Sequence, residues 1–562
     1  MCHEKRLSGR TSSSNRPRLI ADLRPRRAKA SPSASLYRFA PILKSPSLKT
    51  GRLLVGLAVV LGFLCKALCA EPSFTIGPYL QSVTETSIVV CWESDVPGDG
   101  TVEYWVEGSQ TSSFVKVENA QRHEVTLTDL QPGTAYCYRV RIPKEGQGTF
   151  FTAGFRTPPT GGEDVAFTFA AYGDSRESGE NDRDHKAVVD AIRAFDPAFV
   201  IHLGDIVRYG DSLFRWGIFW RNVSPARGED SVAGNAPFYP VLGNHEYMST
   251  EGYKDEAIRK YQDYFVLPAN GLESEHPEWT DRFYSFRYGP AFLIILDVNN
   301  DSDPDYDVNS SLIAGPPDIH PGSPQYEWLI NQLKTAKAQK STFTFVCFHH
   351  SPYSTGFYGQ GAAMKLRFLD PVFREYGVDA VFTSHDHVYE RCETYVEDYR
   401  IRYFVEGAGG APLYPRTEGW DEPGSWMWDE LNQTFYTKAF DNTSHSFIKI
   451  DIVPLGNGTW QATFSAIRPN GEVFDVVRIR RPWGYMEFDE ALTFWFEAIP
   501  GETYQVDYSN DLPRSEMEWH AVGPPIVADG PFVRIIDNGA ETGVAPSDES
   551  VTHRFYRVRQ LR

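Results

Sequence analysis

Outside its first 70 residues, this chain of 562 residues has few cysteines. Three of the seven fall in those 70 residues, and four remain: Cys91, Cys137, Cys347 and Cys392. In AYCYRV, strand alternation places Cys137 opposite Tyr136 and Tyr138; in VVCWES it places Cys91 opposite the core residue Trp92. This argues against a Cys91–Cys137 disulfide, and we expect free thiols at both positions.

The chain is also poor in positive charge after residue 70. Residues 1–70 carry 14 Lys or Arg and two acidic residues, whereas residues 71–562 carry 41 basic and 72 acidic residues, a net charge of −31. A chain this acidic does not bind nucleic acids or anionic membranes through its overall field. We therefore expect no nucleic-acid binding, and an anionic substrate would need local positive charge from arginines or metal ions.

The apolar run LLVGLAVVLGFLC, Leu53–Cys65, is short for a membrane span. It follows a basic extension rich in Arg, Ser and Pro, and the small residues of KALCA follow it, which is the layout of a secretory signal peptide. We predict that residues 1–70 are a basic extension plus signal peptide and that the mature protein is secreted, periplasmic or at the cell surface. No stable membrane span then remains after cleavage; an uncleaved anchor is the alternative.

Residues 71–158 lack a helical period. Their short alternating strands, such as TSIVVCWES and TAYCYRVRI, are separated by turns and predict an all-β sandwich. The Pro-Gly turn before Tyr136 in LTDLQPGTAYCYRV is similar to the tyrosine corner of fibronectin type III sandwiches. TPPTGGED then has the composition of a linker.

The rest of the chain predicts two further domains, so the protein is multidomain. In residues 164–482 strands alternate with helices, DHKAVVDAIRAF and SPQYEWLINQLKTAK among them, which predicts a central α/β domain. In residues 483–562 the period of two returns, as in LTFWFEAIPGETYQVDYSNDL. We expect a small C-terminal all-β module there and assign it no role.

Polar side chains follow five apolar strands of the central domain. They are Asp174, Asp205, Asn244-His245, His349-His350, and His385 with His387. Carboxylate, amide and imidazole groups delivered to one edge are a ligand inventory for hard or borderline metal ions. Because a carboxylate has two oxygens, it can bridge two ions. The set therefore predicts a metal site.

The motifs GDSR, HLGDIV, PVLGNHE, FHHSPYS and SHDHVYER resemble those of the calcineurin-like metallophosphoesterases. The preceding β domain and the HVYER sequence are similar to the purple acid phosphatase branch of that family, over about residues 71–482. The resemblance implies a β-sandwich flanked by helices and two metal ions, with iron, zinc and manganese all open. It implies that Asp205 bridges the two ions. Asn244, His349 and His385 would complete the coordination of one ion, and Asp174 and His387 would coordinate the other.

The resemblance also assigns the histidine pairs. Tyr353 lies four residues after His349, where family members carry an aromatic, so we interpret His349 as the ligand and His350 as its neighbour. His245 would lie beside the scissile phosphate as a proton donor. His202, in mid-strand, is interpreted as a packed histidine behind the site.

Three positions depart from the family. Arg176 stands where the branch carries Gly, Arg208 where it carries a metal-binding Tyr, and Ser384 where it carries Gly. Arginine has no acceptor lone pair, so neither arginine can be a ligand, and Tyr209 or His185 could replace the missing one. Two hypotheses remain for Arg176: a bidentate phosphate fork, or a partner of a local acid such as Asp182 or Asp184.

These features predict an exported phosphoesterase that hydrolyses small-molecule phosphate monoesters through attack of a metal-bound hydroxide. His245 would be the proton donor, and Arg176 and Arg208 would stabilise the phosphoryl oxygens. A phosphodiesterase with the same site is one alternative, and the polar insert of residues 299–322, expected at the rim, could decide between them. A non-catalytic surface binding protein with a degenerate metal centre is the other alternative.

Overall fold

The computed structural model describes residues 73–561, apart from 143–148, 162, 177–181, 226–230, 251–253, 300–314, 340, 359–365, 397–398, 417–433, 457, 482–491, 498–500, 511–518, 529–531, 538, 540–541 and 543–553. The predicted signal peptide and most of the 299–322 insert therefore lie outside the described residues. Within the described part of the chain, no helix has both the length and the apolar character needed to cross a membrane.

The N-terminal domain is mostly β, as predicted. Its five strands are β1 (Phe74–Gln81), β2 (Ile88–Val106), β3 (Ser113–Leu127), β4 (Ala135–Ile142) and β5 (Thr149–Arg156). The first half of β2 pairs with β1 and its second half with β4, and the register shifts around Gly98 between them. The Gln131 N–H donates to the Tyr136 hydroxyl at 2.8 Å, the hydrogen bond of a tyrosine corner. The fibronectin type III likeness stays a prediction.

The central domain contains thirteen described strands. They are β6 (Phe167–Tyr172), β7 (Val200–His202), β8 (Phe238–Pro240), β9 (Tyr284–Tyr288), β10 (Ala291–Ile295), β11 (Phe343–His350), β12 (Ala380–Ser384), β13 (Tyr389–Val396), β14 (Tyr399–Glu406), β15 (Thr434–Asp441), β16 (Phe447–Gly456), β17 (Thr459–Ile467) and β18 (Val473–Arg481). Strands β6, β7, β8, β11 and β12 are the five apolar strands that lead to the predicted ligands.

These strands form two sheets. One has the order β18-β17-β16-β6-β7-β8 and the other the order β15-β13-β14-β12-β11-β10-β9. Strands β6, β7 and β8 are parallel to one another, and so are β10, β11, β12 and β14. Parallel strands put their carboxyl ends at one edge of a sheet, where ligands of α/β proteins bind.

Aromatic side chains join the two sheets face to face. Phe169 on one sheet packs against Phe345 on the other with ring centroids 6.1 Å apart, and Phe464 meets Phe345 at 5.9 Å and Phe404 at 5.0 Å. All four rings are buried. This two-sheet core with modest helix content is the predicted α/β metallophosphoesterase architecture.

Five described α-helices flank the sheets. They are α1 (Arg183–Arg193), α2 (Leu213–Val223), α3 (Lys254–Tyr264), α4 (Pro324–Ala338) and α5 (Leu369–Tyr376), with short 3₁₀ helices at Asn244–Tyr247 and Pro277–Trp279. Helix α4 begins as its sequence predicts: the Ser323 hydroxyl accepts the Tyr326 N–H at 3.3 Å, and Pro324 occupies the first helical position.

The outer face of the first N-terminal strands packs on the central domain. The Tyr79 hydroxyl donates to the Tyr264 carbonyl at 2.8 Å, and the Tyr79 ring lies 4.4 Å from that of Trp220. Cys91 does turn away from Trp92, but it is fully buried because this face is covered. All four described cysteines are free thiols, which confirms the expectation for Cys91 and Cys137.

The C-terminal strands form two small sheets. Their described strands are β19 (Leu492–Glu497), β20 (Thr503–Ser509), β21 (His520–Ala521), β22 (Ile526–Val527), β23 (Phe532–Asp537) and β24 (Phe555–Leu561). Strand β19 pairs with β23, and β20 pairs with β21, β22 and β24. A separate cluster of buried residues, including Val506, Val533 and Ile535, forms their core.

Candidate metal centre

Five strand ends converge at one edge of the sandwich. Asp174, Asp205 and Asn244 follow β6, β7 and β8 of one sheet, whereas His349 and His350 end β11, and His385 and His387 follow β12, of the other. The centre is therefore built across the two sheets, and each sheet supplies part of the donor set.

Three of the predicted ligands have an unusual backbone conformation. Asp174, Asp205 and His385 have φ angles of 52°, 54° and 71°, in the left-handed region that non-glycine residues seldom adopt. Such residues each cost roughly 1–3 kcal/mol and cluster at functional sites. The turns after β6, β7 and β12 are thus held in strained conformations that aim the side chains inward.

The donor atoms lie close enough to share metal ions. The groups Asp174, Asp205, His349 and His349, His350, His385 each bring their donor atoms within 4.8 Å of one another. His349 Nε2 lies 3.3 Å from Asp205 Oδ1, and His387 Nε2 lies 3.2 Å from Asp174 Oδ1. His349 and His387 therefore lie against the carboxylates of Asp205 and Asp174.

Several of these donors are buried without a hydrogen-bond partner among the described residues. They are Asp174 Oδ1, Asn244 Oδ1, His349 Nε2 and both ring nitrogens of His350. A buried polar atom without a partner costs free energy unless something else satisfies it. Carboxylate oxygen, amide oxygen and imidazole nitrogen suit iron, zinc and manganese, so the residues fit a metal centre.

His350 lies against two of the predicted ligands. Its ring lies 4.2 Å from that of His385 and 4.8 Å from that of His349, and His349 and His350 are fully buried. His349 Nδ1 donates to the Leu203 carbonyl at 2.8 Å, which leaves only Nε2 for a metal. Both histidines are therefore placed where they could hold an ion, and the interpretation of His349 as the ligand and His350 as its neighbour stays a prediction.

The ionisable groups of the centre shift one another's pKa values. Burial would raise the pKa of the Asp205 carboxyl, but His245, His349 and Arg176 hold it well below its usual range. Burial would lower the pKa of His349, but Asp205 raises it to about 9. Burial and His349 lower the pKa of His385 to about 3. The carboxylate is thus favoured in its anionic, metal-binding form.

His245 faces Asp205 from the turn that carries Asn244. Its backbone N–H donates to Asp205 Oδ1 at 2.9 Å, and its Nδ1 donates to the Arg208 carbonyl at 2.8 Å. This fixes Nε2 toward the centre, 3.6 Å from Asp205 Oδ2. The structure therefore places His245 beside the predicted metal ligands with one ring nitrogen directed inward.

Arg176 enters the centre itself. Its Nη2 lies 3.1 Å from His387 Nε2 and donates to the Tyr414 hydroxyl at 3.2 Å, and its Nε lies 3.4 Å from Asp205 Oδ2. Asp182 instead accepts from Arg221, and Asp184 faces His445. Arg176 is thus directed at the site and pairs with Asp205 rather than with Asp182 or Asp184, and its role as a phosphate fork stays a prediction.

Arg208 is different. Its side chain is exposed, and its guanidinium lies over the Tyr209 ring at 5.8 Å. Among the described contacts, neither Arg208 nor Tyr209 reaches a predicted ligand with its side chain. A role for Arg208 on the phosphoryl oxygens, and for Tyr209 as a ligand, stays a prediction.

Two buried histidines that are not predicted ligands, His185 and His202, lie next to the ligand turns. His185 Nδ1 lies 3.1 Å from Asn222 Nδ2 and its Nε2 lies 3.2 Å from the Tyr172 hydroxyl, so both ring nitrogens are already hydrogen-bonded. A role for His185 as a substitute ligand stays a prediction. His202 Nε2 meets the Ser175 hydroxyl at 2.8 Å, which fits the packed histidine expected there.

Glu246 and Ser384 have positioning roles that the sequence reasoning missed. Glu246 accepts the backbone N–H groups of Gly243, Asp205 and Ile206 at 2.8–2.9 Å, so it ties two ligand turns together. Burial and the nearby Asp205 raise the pKa of Glu246 to about 8. Ser384 donates to the Leu203 carbonyl at 2.8 Å. The only sequence signal for Glu246 was its place in GNHE.

Two known protein families match this chain, one over the N-terminal domain and one within the central domain. Residues 167–389 match the family described as calcineurin-like phosphoesterase, and residues 76–157 match the family described as purple acid phosphatase, N-terminal domain. Together these matches cover the two domains that meet at the Tyr79–Tyr264 contact.

Curated relatives are about a quarter identical to this chain over the aligned residues. A purple acid phosphatase of Glycine max is 26% identical over 327 residues, 55% of this chain and 63% of the relative. Fe(3+)-Zn(2+) purple acid phosphatase 12 of Arabidopsis thaliana is 24% identical, over 54% of this chain and 62% of the relative. The chain spans about three fifths of the length of these relatives.

A solved structure shares the fold. It is purple acid phosphatase PPD1 from yellow lupin (Lupinus luteus) seeds, with a TM-score of 0.55 and 19% identity over 74% of this chain and 75% of that one. At that identity the likeness shows the architecture alone. The chain therefore carries a calcineurin-like phosphoesterase domain behind a purple acid phosphatase N-terminal domain, and both of these curated relatives are purple acid phosphatases.

Proposed function

We propose that this chain is an exported dinuclear metal-dependent phosphoesterase that hydrolyses small-molecule phosphate monoesters. The observation that carries the proposal is the convergence of Asp174, Asp205, Asn244, His349, His385 and His387 at five strand ends, with buried donor atoms that have no partner among the described residues. His350 joins this set as a further candidate ligand.

Asp205 is suited to bridge two ions because its two oxygens face different groups. Oδ1 accepts the His245 N–H and faces His349, whereas Oδ2 faces Arg176 and the His245 ring. Bound ions would supply Lewis acidity and lower the pKa of a coordinated water. Iron and zinc are supported by the name of the Arabidopsis relative, and manganese fits the same donors.

Two cationic or protonatable side chains would act on the ester. Arg176 directs its guanidinium into the centre, where a planar cation can bind phosphoryl oxygens. His245 would give a proton from Nε2 to the leaving oxygen in its imidazolium form, because Nδ1–H already donates to the Arg208 carbonyl and Nε2 is the nitrogen that can exchange a second proton. Monoesters are proposed because of the family, and export because of the composition of residues 1–70.

The position of Arg176 also supports a second candidate, a binding protein with a degenerate centre. Its contact with His387 puts a positive group against one predicted ligand of the ion held by Asp174. Metal analysis of the purified protein distinguishes the candidates: about two ions per chain are expected for the enzyme, and one or none for the degenerate protein.

The test of the proposed function contrasts Asp205→Asn with His245→Ala. Asp205→Asn is expected to lose both ions, because one carboxylate serves both. His245→Ala is expected to keep the ions and to lose turnover of a monoester by roughly a hundredfold or more. Metal content is measured alongside kcat, with His520→Ala, an exposed histidine of the C-terminal strands, as the matched control. Loss of metal with unchanged turnover per ion in His245→Ala would contradict the assigned role.

A further inference from the structure

Three aromatic side chains form one group beside the candidate metal centre. The rings of Phe357, Tyr358 and Tyr414 lie 5.0–5.7 Å from one another, and we call them the aromatic rim. Phe357 is 59% exposed and Tyr358 is 42% exposed. Large apolar side chains that stay in water beside a polar site are informative, because most such rings are buried.

The aromatic rim lies directly on the predicted metal ligands. Tyr414 stacks on the His387 ring, with centroids 3.9 Å apart and an interplanar angle of 11°. Tyr358 lies 4.6 Å from the His385 ring. The Tyr414 hydroxyl accepts from Arg176 at 3.2 Å, so the rim begins where the proposed phosphate-binding group ends.

Hydrogen bonds from the ligand turn hold the rim in place. Asp386, between the two ligand histidines, accepts the Tyr358 N–H at 2.7 Å and the Ser354 hydroxyl at 2.6 Å. A Cβ at Gly356 would lie 2.6 Å from Asp386 Cγ, so only glycine lets the backbone come this close. The exposed rings are therefore presented by an ordered turn, which lowers the entropic cost of using them to bind a ligand.

We propose that the aromatic rim binds an aromatic ring carried by the alcohol part of the phosphate ester, such as a nucleobase. This inference rests on the proposed phosphoesterase function and narrows its substrate class. A phosphate held by Arg176 leaves its ester group within reach of rings that already touch His385 and His387. Stacking on aromatic side chains stabilises a bound flat ring more than a bound aliphatic chain. A neutral ring also needs no positively charged partner, and this protein is acidic.

Binding is tested with phosphonates, whose carbon–phosphorus bond the enzyme does not cleave. Calorimetry on the metal-loaded chain compares benzylphosphonate with ethylphosphonate. We expect benzylphosphonate to bind about three- to tenfold more tightly, the range of one aromatic contact. In Phe357→Ala the ratio of the affinity for benzylphosphonate to the affinity for ethylphosphonate should fall toward one. Phe114→Ala, which removes an equally exposed ring (60%) from the N-terminal domain, should leave the ratio unchanged.

Turnover gives an independent comparison. Adenosine 5′-monophosphate and ribose 5-phosphate share the same primary leaving oxygen and differ in the base, so the ratio of their kcat/KM values reports the ring. The wild type should prefer the nucleotide, and Phe357→Ala should lose that preference.

The two proposals fail in different ways. Equal affinity for both phosphonates in a wild type that hydrolyses both esters overturns the role of the rim and leaves the phosphoesterase function intact. Tighter binding of benzylphosphonate without hydrolysis of either ester supports a ring-binding site and overturns the hydrolytic function.

Discussion

Asp281 is a half-buried carboxyl in the turn before β9. Its Oδ1 accepts the Leu267 N–H at 2.8 Å, and its φ of 60° is left-handed. Burial raises the pKa of Asp281 to about 7, even though the Leu267 hydrogen bond opposes this. An unfolded Asp loses its proton near pH 4. Between these values the folded state binds more protons, so the free energy of unfolding falls as the pH rises through that window.

We therefore expect Asp281→Asn to be more stable than the wild type at alkaline pH. Asparagine keeps the acceptor and tolerates the left-handed backbone, but it has no charge to bury. The advantage should grow between pH 4.5 and 7.5, reach about 1–2 kcal/mol after allowance for the partly exposed side chain, and then level off. Urea unfolding across this range measures it.

The matched control is Asp263→Asn, an exposed carboxylate of α3. It should show no such growth with pH. An Asp281→Asn advantage that is constant from pH 4.5 to pH 8 would contradict the assigned role of burial.

Individual residues of the centre were predictable from the sequence to different degrees. Asp174 and Asp205 could be named because each follows an apolar strand and parallel strands end at one edge. The choice of His349 over His350 rested on the spacing to Tyr353, and that spacing does not reveal which ring nitrogens are already engaged, because both residues end β11. For Arg176 the same limit holds: its partner set depends on Tyr414, 238 residues away in the chain.

At the scale of elements, the segment after β11 is held by one strand of the same sheet. Glu390 on β13 accepts the Thr355 N–H and the Thr355 hydroxyl, both at 2.7 Å, and the Ser354 hydroxyl at 3.1 Å. The Thr437 hydroxyl of β15 donates to the same carboxylate at 2.7 Å. The resemblance of HVYER to the family marked this residue, but its partners became visible only with β13, which the sequence patterns had not identified.

Glu390→Gln should loosen this segment and leave the fold intact. The amide keeps the shape of the carboxylate but loses the charge that strengthens its hydrogen bonds, each worth about 1.5–3 kcal/mol. Amide hydrogen exchange at Thr355 and Tyr358 should therefore become roughly tenfold faster or more.

Glu393→Gln serves as the control, since Glu393 lies on the same strand and pairs with Arg391. Unchanged exchange at Thr355 in Glu390→Gln, or equal acceleration in both variants, would show that β13 does not hold the segment.

At the scale of the whole molecule, the N-terminal and central domains share one hydrophobic core. The main buried cluster includes Trp92 and Tyr138 of the first and Phe169 and Trp220 of the second. The Tyr138 hydroxyl crosses the boundary to donate to the Gly234 carbonyl at 2.7 Å. The described C-terminal strands have their own buried cluster. We propose the domain limits 71–158, 164–482 and 483–562, of which the first two should unfold together.

Gly77 tests this cooperativity without touching the metal centre. Its N–H donates to the Ser224 carbonyl at 3.1 Å, and a Cβ at this position would lie 2.3 Å from the Pro225 carbonyl oxygen. Gly77→Ala therefore forces β1 away from the end of α2, a strain of about 1–3 kcal/mol by analogy with overpacked cores. Gly217→Ala is the control, because no atom approaches that Cβ and alanine favours the helix.

Calorimetry of the full chain should show one transition for the joined N-terminal and central domains and another for the C-terminal strands. Gly77→Ala should lower the midpoint of the first transition and leave the second in place, because strain at β1 passes into the core that contains Trp220. Gly217→Ala should leave the first midpoint unchanged or raise it slightly. A first transition that splits in two in Gly77→Ala would contradict this expectation. So would a lower first midpoint in a variant whose folded-state fluorescence shows Tyr79 still packed on Trp220. Either result means that the two domains are independent bodies that only touch, and that the shared core does not make them one cooperative unit.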